Sequence, residues 1–210
     1  MYLSGKESLA EPINSMSRQV FIIHAIEGYP EEGWYPWLKQ ELQRQGFRVE
    51  TPAMPETHAP EMERWIAHLE SEVGEPNTDT YFVGHSMGGQ TILRYLQTLR
   101  GEQKVGGVVL VASWTTLTPA AASTPEEQAL FKPWLETPID WEKVKSRANG
   151  FTAIFSDNDP FVTLADADVF RAKLNAEIII EKGRGHFSGS DGVTELPSAL
   201  AAILKYAAAH

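Results

Sequence analysis

A β-branched and aromatic run, Thr80-Tyr81-Phe82-Val83, gives way without a gap to Gly84-His85-Ser86-Met87-Gly88 and then to apolar residues at helical spacing, Ile92, Leu93, Leu96 and Leu99. A strand that becomes a helix across so few residues must bend too sharply for bulky neighbours, which is why glycines stand two positions before and two after the serine. The bend holds the serine hydroxyl above the edge of a sheet, at a helix N-terminus whose N–H groups can meet a developing negative charge. Strand, G-x-S-x-G and helix in that order restrict the chain to folds whose strands feed directly into helices.

The same alternation recurs along the chain. Strands are expected over 19–24, 48–51, 80–83, 105–111, 151–155 and 177–180, several of them apolar throughout, as strands covered on both faces should be. Between them lie helical patterns: Leu38 and Leu42 after Pro36; Met62, Trp65, Ile66, Leu69 and Val73; Leu164, Ala167, Phe170 and Leu174; and Leu200, Ile203 and Leu204 after Pro197. Regular β-α alternation implies parallel strands and right-handed crossovers, hence an α/β three-layer sandwich with a mostly parallel six-stranded sheet. Residues 112–139 lack clear periodicity and are rich in Thr, Ala and Pro, so a small flap or minimal cap over the sheet edge is expected there.

At 210 residues the chain is sized for one domain, expected over 19–210 behind a flexible extension at 1–18. That extension is polar, without the apolar stretch of a signal peptide or membrane span, and Met16 is an alternative start. A formal net charge of −10, spread along the chain, argues against nucleic acid and anionic membrane as partners. Cysteine is absent, which removes disulfides, thiolate metal sites and a cysteine nucleophile. His58 and His68 fit no metal-ligand spacing, and neither H-E-x-x-H nor a glycine-rich phosphate loop occurs, so no metal and no cofactor are expected. The location is expected to be cytoplasmic.

A serine hydroxyl needs a base. Of six histidines, His186 follows the last strand within Gly183-Arg184-Gly185-His186-Phe187, where an α/β-hydrolase carries its base. An imidazole in that role needs a carboxylate, and the strand at 151–155 runs into Ser156-Asp157-Asn158-Asp159-Pro160, which offers two, Asp157 and Asp159. Serine, acid and histidine thus occur in α/β-hydrolase order, each after a different strand. His24 and His85 flank the same edge and are read as structural hydrogen-bonding residues. Trp34, Trp37, Trp114 and Trp134 are candidates for core or pocket wall.

Together these segments resemble the small α/β-hydrolase family of serine hydrolases that includes retinoblastoma-binding protein 9 and bacterial relatives. The resemblance is carried by Trp34-Tyr35-Pro36-Trp37-Leu38, Pro52-Ala53-Met54-Pro55, the serine pentapeptide, Trp141-Glu142-Lys143-Val144, Ser156-Asp157-Asn158-Asp159-Pro160 and Gly185-His186-Phe187, and it covers about 20–205. By position in the family's acid motif, Asp159, immediately before proline, matches the catalytic acid, with Asp157 as the alternative. The resemblance implies acyl transfer to Ser86 with His186 as base, and an oxyanion hole made by the N–H of Met87 and that of Ala25 or Ile26. The chain has His24-Ala25 where many relatives of the wider fold have His-Gly, so a less open backbone path is expected there, and Thr163 stands where proline is common. The expected substrates are small carboxylic esters, with amides as a further class. The alternative is a catalytically weak binding scaffold on the same fold. The L-x-C-x-E motif used to bind retinoblastoma protein is impossible without cysteine.

Overall fold

The strands are short Val-, Ile- and Phe-rich runs, and the computed structural model, which describes residues 18–209, shows where their two apolar faces go. β1 (Gln19–Ile23), β2 (Arg48–Glu50), β3 (Thr80–His85), β4 (Gly107–Val111), β5 (Phe151–Ser156) and β6 (Glu177–Glu181) form one sheet in the order β2-β1-β3-β4-β5-β6, with every pair parallel. Because side chains alternate along a strand, β1 sends Val20 and Ile22 to one face and Phe21 and Ile23 to the other. The Val20 face packs on α1 (Tyr35–Arg44) and α7 (Pro197–Ala208) through Leu38, Leu42, Ala199 and Ile203. The Phe21 face packs on α2 (Met62–Val73), α3 (Met87–Thr98), α5 (Trp141–Ser146) and α6 (Ala165–Leu174) through Trp65, Leu69, Ile92, Val144 and Phe170. Each such large apolar side chain stabilises the fold by about 1.5–3 kcal/mol on full burial. The result is the expected three-layer α/β sandwich.

The boundaries differ where the backbone found partners that periodicity does not report. β3 continues through Gly84 and His85, which pair with Leu110 and Val111. Val105, expected in the fourth strand, instead bonds to Arg147 and Asn149 just ahead of β5. Within the aperiodic stretch lies a further helix, α4 (Pro125–Glu136), opened by a capping box in which Thr124 and Glu127 satisfy each other's backbone N–H. The extension expected at 1–18, and Met16 with it, lies outside the described residues except for Arg18, whose carbonyl accepts from Arg48 N–H at 2.9 Å. Among the described residues no helix is long and apolar enough to cross a membrane.

The chain passes from β1 out to the edge strand β2 and returns to β3 on the other side of β1, so the winding reverses between β1 and β3. A crevice at such a reversal, beyond the carboxyl ends of the strands, is where open α/β sheets bind ligands. Ser86 follows β3 at that point.

Candidate active site

Ser86 adopts φ 51° and ψ −113°, a conformation L residues seldom take, between the last residue of β3 and the first of α3. Its own N–H is tied to the Val111 carbonyl at 2.8 Å, and its carbonyl accepts from Gly89 N–H at 3.0 Å, so the bend is pinned from both sides. The flanking glycines are sterically required: a Cβ on Gly84 would lie 2.6 Å from Gly89 N, and one on Gly88 would lie 2.2 Å from the Ile23 carbonyl oxygen. The serine opens into a cavity of about 660 Å³ whose lining includes Ala25, Ile26, Trp114, Phe131 and His186.

Two loops meet beside it, one after β5 and one after β6, joined by successive side-chain contacts. Asp157 Oδ1 accepts from Gly183 N–H (2.8 Å), Ser156 Oγ from Arg184 N–H (3.0 Å) and Asn158 Oδ1 from Gly185 N–H (2.9 Å). Next, Asp159 Oδ2 meets His186 Nδ1 at 2.8 Å, with the two side chains 2% and 13% exposed. Asp159 Oδ1 accepts from the N–H groups of Phe161 (2.8 Å) and Val162 (3.1 Å), so both carboxylate oxygens are engaged. Of the two candidate acids, therefore, Asp159 touches the imidazole, and Asp157 bonds the turn two residues before Gly185. The Phe161 ring stands edge-on to the imidazole, centroids 5.1 Å apart.

Beyond His186 the loop is fastened by Asp191, absent from the sequence expectations. Its Oδ2 accepts from His186 N–H (2.9 Å), Ser188 N–H (3.0 Å) and Ser188 Oγ (2.6 Å). Burial alone would raise the Asp191 carboxyl, but the Ser188 and His186 hydrogen bonds outweigh it and hold the pKa below 3.8. Gly185, at φ 54°, leaves room for this carboxylate: a Cβ there would sit 2.3 Å from Asp191 Oδ1.

Of the three expected oxyanion donors, Ala25 directs its N–H to Tyr35 Oη at 3.4 Å. The N–H groups of Ile26 and Met87 donate to no other described residue. Ala25 keeps a negative φ, so alanine fits where glycine was the comparison. His24 bonds the Ala25 carbonyl through Nδ1 (2.8 Å) and accepts Met54 N–H through Nε2 (3.0 Å), a structural part, and burial lowers its pKa, partly opposed by the Ala25 bond.

The segment expected as a flap supplies the apolar wall through Trp114, Leu117, Leu130 and Phe131. It is fastened at both ends by buried charged side chains, another feature that sequence reasoning missed. Asp166 takes hydrogen bonds from Thr115 and Thr116, and its burial pushes the carboxyl up despite them. Arg94 donates to the carbonyls of Trp134 and Thr137 at the end of α4. Trp114 lines the cavity, whereas Trp34 and Trp134 are buried in the two core layers.

Residues 20–205 match the family model described as serine hydrolase. The chain belongs to the serine hydrolase family. This serine hydrolase is 29% identical over 191 residues to YdeN of Bacillus subtilis (strain 168), spanning 91% of this chain and 97% of that protein. The crystal structure of the ydeN gene product superposes with a TM-score of 0.83 at 26% identity, over 91% of this chain and all (100%) of that one. Serine hydrolase RBBP9 of Rattus norvegicus is 25% identical over 160 residues, 76% of this chain and 80% of its own. Est1E from Butyrivibrio proteoclasticus, with a TM-score of 0.69 at 15% identity over 91% and 89% of the two chains, shares the fold. The fold is that of the α/β-hydrolases, and the protein is an enzyme of the serine hydrolase type.

Proposed function

We propose that this serine hydrolase cleaves small carboxylic esters, with amides as a further class, through an acyl-enzyme on Ser86, with His186 as base and Asp159 as its acid partner. The observation that carries the reading is the 2.8 Å contact between His186 Nδ1 and a buried Asp159, beside a cavity that Ser86 shares. A carboxylate on Nδ1 keeps the proton there and leaves the Nε2 lone pair free to take a proton from the serine hydroxyl. Ser86 Oγ attacks the ester carbonyl, its proton passes to His186 Nε2, and Asp159 stabilises the imidazolium. The tetrahedral oxyanion sits against the N–H groups of Met87 and Ile26, since that of Ala25 is turned to Tyr35. His186 then returns the proton to the departing alkoxide, and the C–O bond of the ester breaks. Water enters by the same steps, and the acid leaves.

The apolar wall of Trp114, Leu117, Leu130 and Phe131 suits a short or medium acyl chain. A small-molecule substrate, no nucleic-acid or membrane partner and a cytoplasmic setting belong to the same reading. Hydrolysis of p-nitrophenyl esters of graded acyl length tests it: the wild type turns over short and medium chains, and Ser86→Ala lowers kcat/KM on the order of a million-fold. A Ser86→Ala protein as active as the wild type overturns the reading.

A further inference from the structure

Trp34-Tyr35 at the start of α1 and His85 at the end of β3 converge on the loop that carries His186. His85 Nε2 lies 2.7 Å from the His186 carbonyl oxygen, and its Nδ1 lies 2.6 Å from Tyr35 Oη. A carbonyl only accepts, so Nε2 must carry the proton and Nδ1 the lone pair, which the Tyr35 hydroxyl then fills by donating. The oxygen of that hydroxyl remains free to accept, and Ala25 N–H approaches it at 3.4 Å. Trp34 Nε1 donates to the next carbonyl of the base loop, that of Phe187, at 3.0 Å. Tyr35 and His85 are each only 2% exposed.

We propose that Tyr35 and His85 are positioning residues, a hydroxyl–imidazole pair that sets the His186 loop and the loop after β1 in register with Ser86. The inference rests on the roles proposed above for Ser86 and His186.

The base loop needs such a hold. Gly185 has φ 54° and Phe187 has φ 58°, so His186 lies between two left-handed residues, one of them bulky and disfavoured there. That backbone persists only where its surroundings over-determine it. The carbonyls of 186 and 187 are the groups that His85 and Trp34 grasp, while Asp191 takes the N–H of 186 from the other side. His85 does this without adding charge. Burial, and the His186 imidazole with its ring centroid 5.2 Å away, hold the His85 pKa down at about 3. A charged ring at that distance would oppose the imidazolium that His186 must become. Because His85 is adjacent to Ser86 in the chain and Tyr35 also meets Ala25, one buried pair links the nucleophile, the base loop and the oxyanion loop. Misplacement of a reacting group by about 1 Å can cost on the order of a hundredfold in rate.

The test uses the full chain, with active sites counted by end-point fluorophosphonate titration and kcat for a p-nitrophenyl ester expressed per titrated site. Tyr35→Phe keeps the ring and loses only the hydroxyl. It lowers kcat about tenfold with KM within about twofold, and His85→Leu lowers kcat about a hundredfold. His85→Gln, whose amide N–H has the reach of Nε2, restores kcat to within about tenfold of the wild type. The proposal is overturned if Tyr35→Phe and His85→Leu keep wild-type kcat per site and lose only thermal stability, the pattern of a packing role. Should His85→Leu fail to fold, Tyr35→Phe decides: a kcat per site equal to the wild type overturns the proposal. A Ser86→Ala protein that keeps wild-type hydrolysis contradicts the site assignment itself, a different failure from unchanged turnover in Tyr35→Phe.

Discussion

Ser86 is held in a conformation that costs an L residue on the order of 1–3 kcal/mol, and the glycines around it have no room for a side chain. Removing the Cβ should therefore return stability even as it removes the nucleophile. Ser86→Gly is expected to be more stable than Ser86→Ala by about 1 kcal/mol in urea unfolding, the reverse of the usual order for these two residues. Asp159 and Asp157 separate by the same kind of local reading. Asp159→Asn should lower kcat about ten-thousand-fold by favouring the wrong imidazole tautomer, whereas Asp157→Asn, which touches only Gly183 N–H, should stay within about tenfold in ester kinetics. The serine bend was legible because glycine, serine and glycine at that spacing answer one steric demand. Tyr35 was not: its hydroxyl acts on His85, 50 residues away, and nothing local to Trp34-Tyr35-Pro36 announces a polar task.

Among the elements, α4 is a helix that hydrophobic periodicity does not announce. Its buried side is little more than Phe131 and Trp134, Pro133 interrupts its interior, and its exposed side mixes Glu126, Gln128 and Lys132 with Leu135, so no long apolar stripe appears. What holds its end is Arg94, whose guanidinium reaches the carbonyls of Trp134 and Thr137. A cation at a helix C-terminus is favourable, and the partners are backbone atoms that leave no mark on a sequence. Arg94→Met, similar in volume, should loosen this end by about 1–2 kcal/mol, since it removes hydrogen bonds that a charged donor makes to the carbonyls of Trp134 and Thr137. Hydrogen exchange reads that directly: amides over 125–136 should exchange about tenfold faster, while those of β3 stay protected. Unchanged exchange in α4 would assign its stability to Phe131 and Trp134 alone.

Over the whole molecule, the chain order of the six strands and of the helices between them, α4 and α5 excepted, followed from short apolar β-branched runs and period-3.6 patterns. The hydrogen bonds between the loops after β5 and β6 did not, because they join side chains to backbone across 26 to 28 residues. Folding also buries His85 in neutral form, with consequences for acid stability. Its pKa falls from 6.5 to about 3 on folding, so between those values the unfolded chain binds a proton that the native protein does not. This contribution is fully present above about pH 6.5 and is lost as the pH falls toward 3. Urea unfolding between pH 7 and pH 5 should show stability falling on the order of 1 kcal/mol per pH unit below the ordinary histidine pKa, with a shallower slope in His85→Gln. Equal slopes would mean that His85 does not enter the balance.

The central claim is that Ser86, which lines the cavity and is 5% exposed, is made nucleophilic by His186. Intact-mass measurement after treatment with a fluorophosphonate, followed by peptide mapping, tests it most directly. A single adduct per chain on Ser86, absent in Ser86→Ala and strongly slowed in His186→Ala, is the predicted result. Folded wild-type protein that takes up no label, or a Ser86→Ala variant that is labelled as readily, contradicts it.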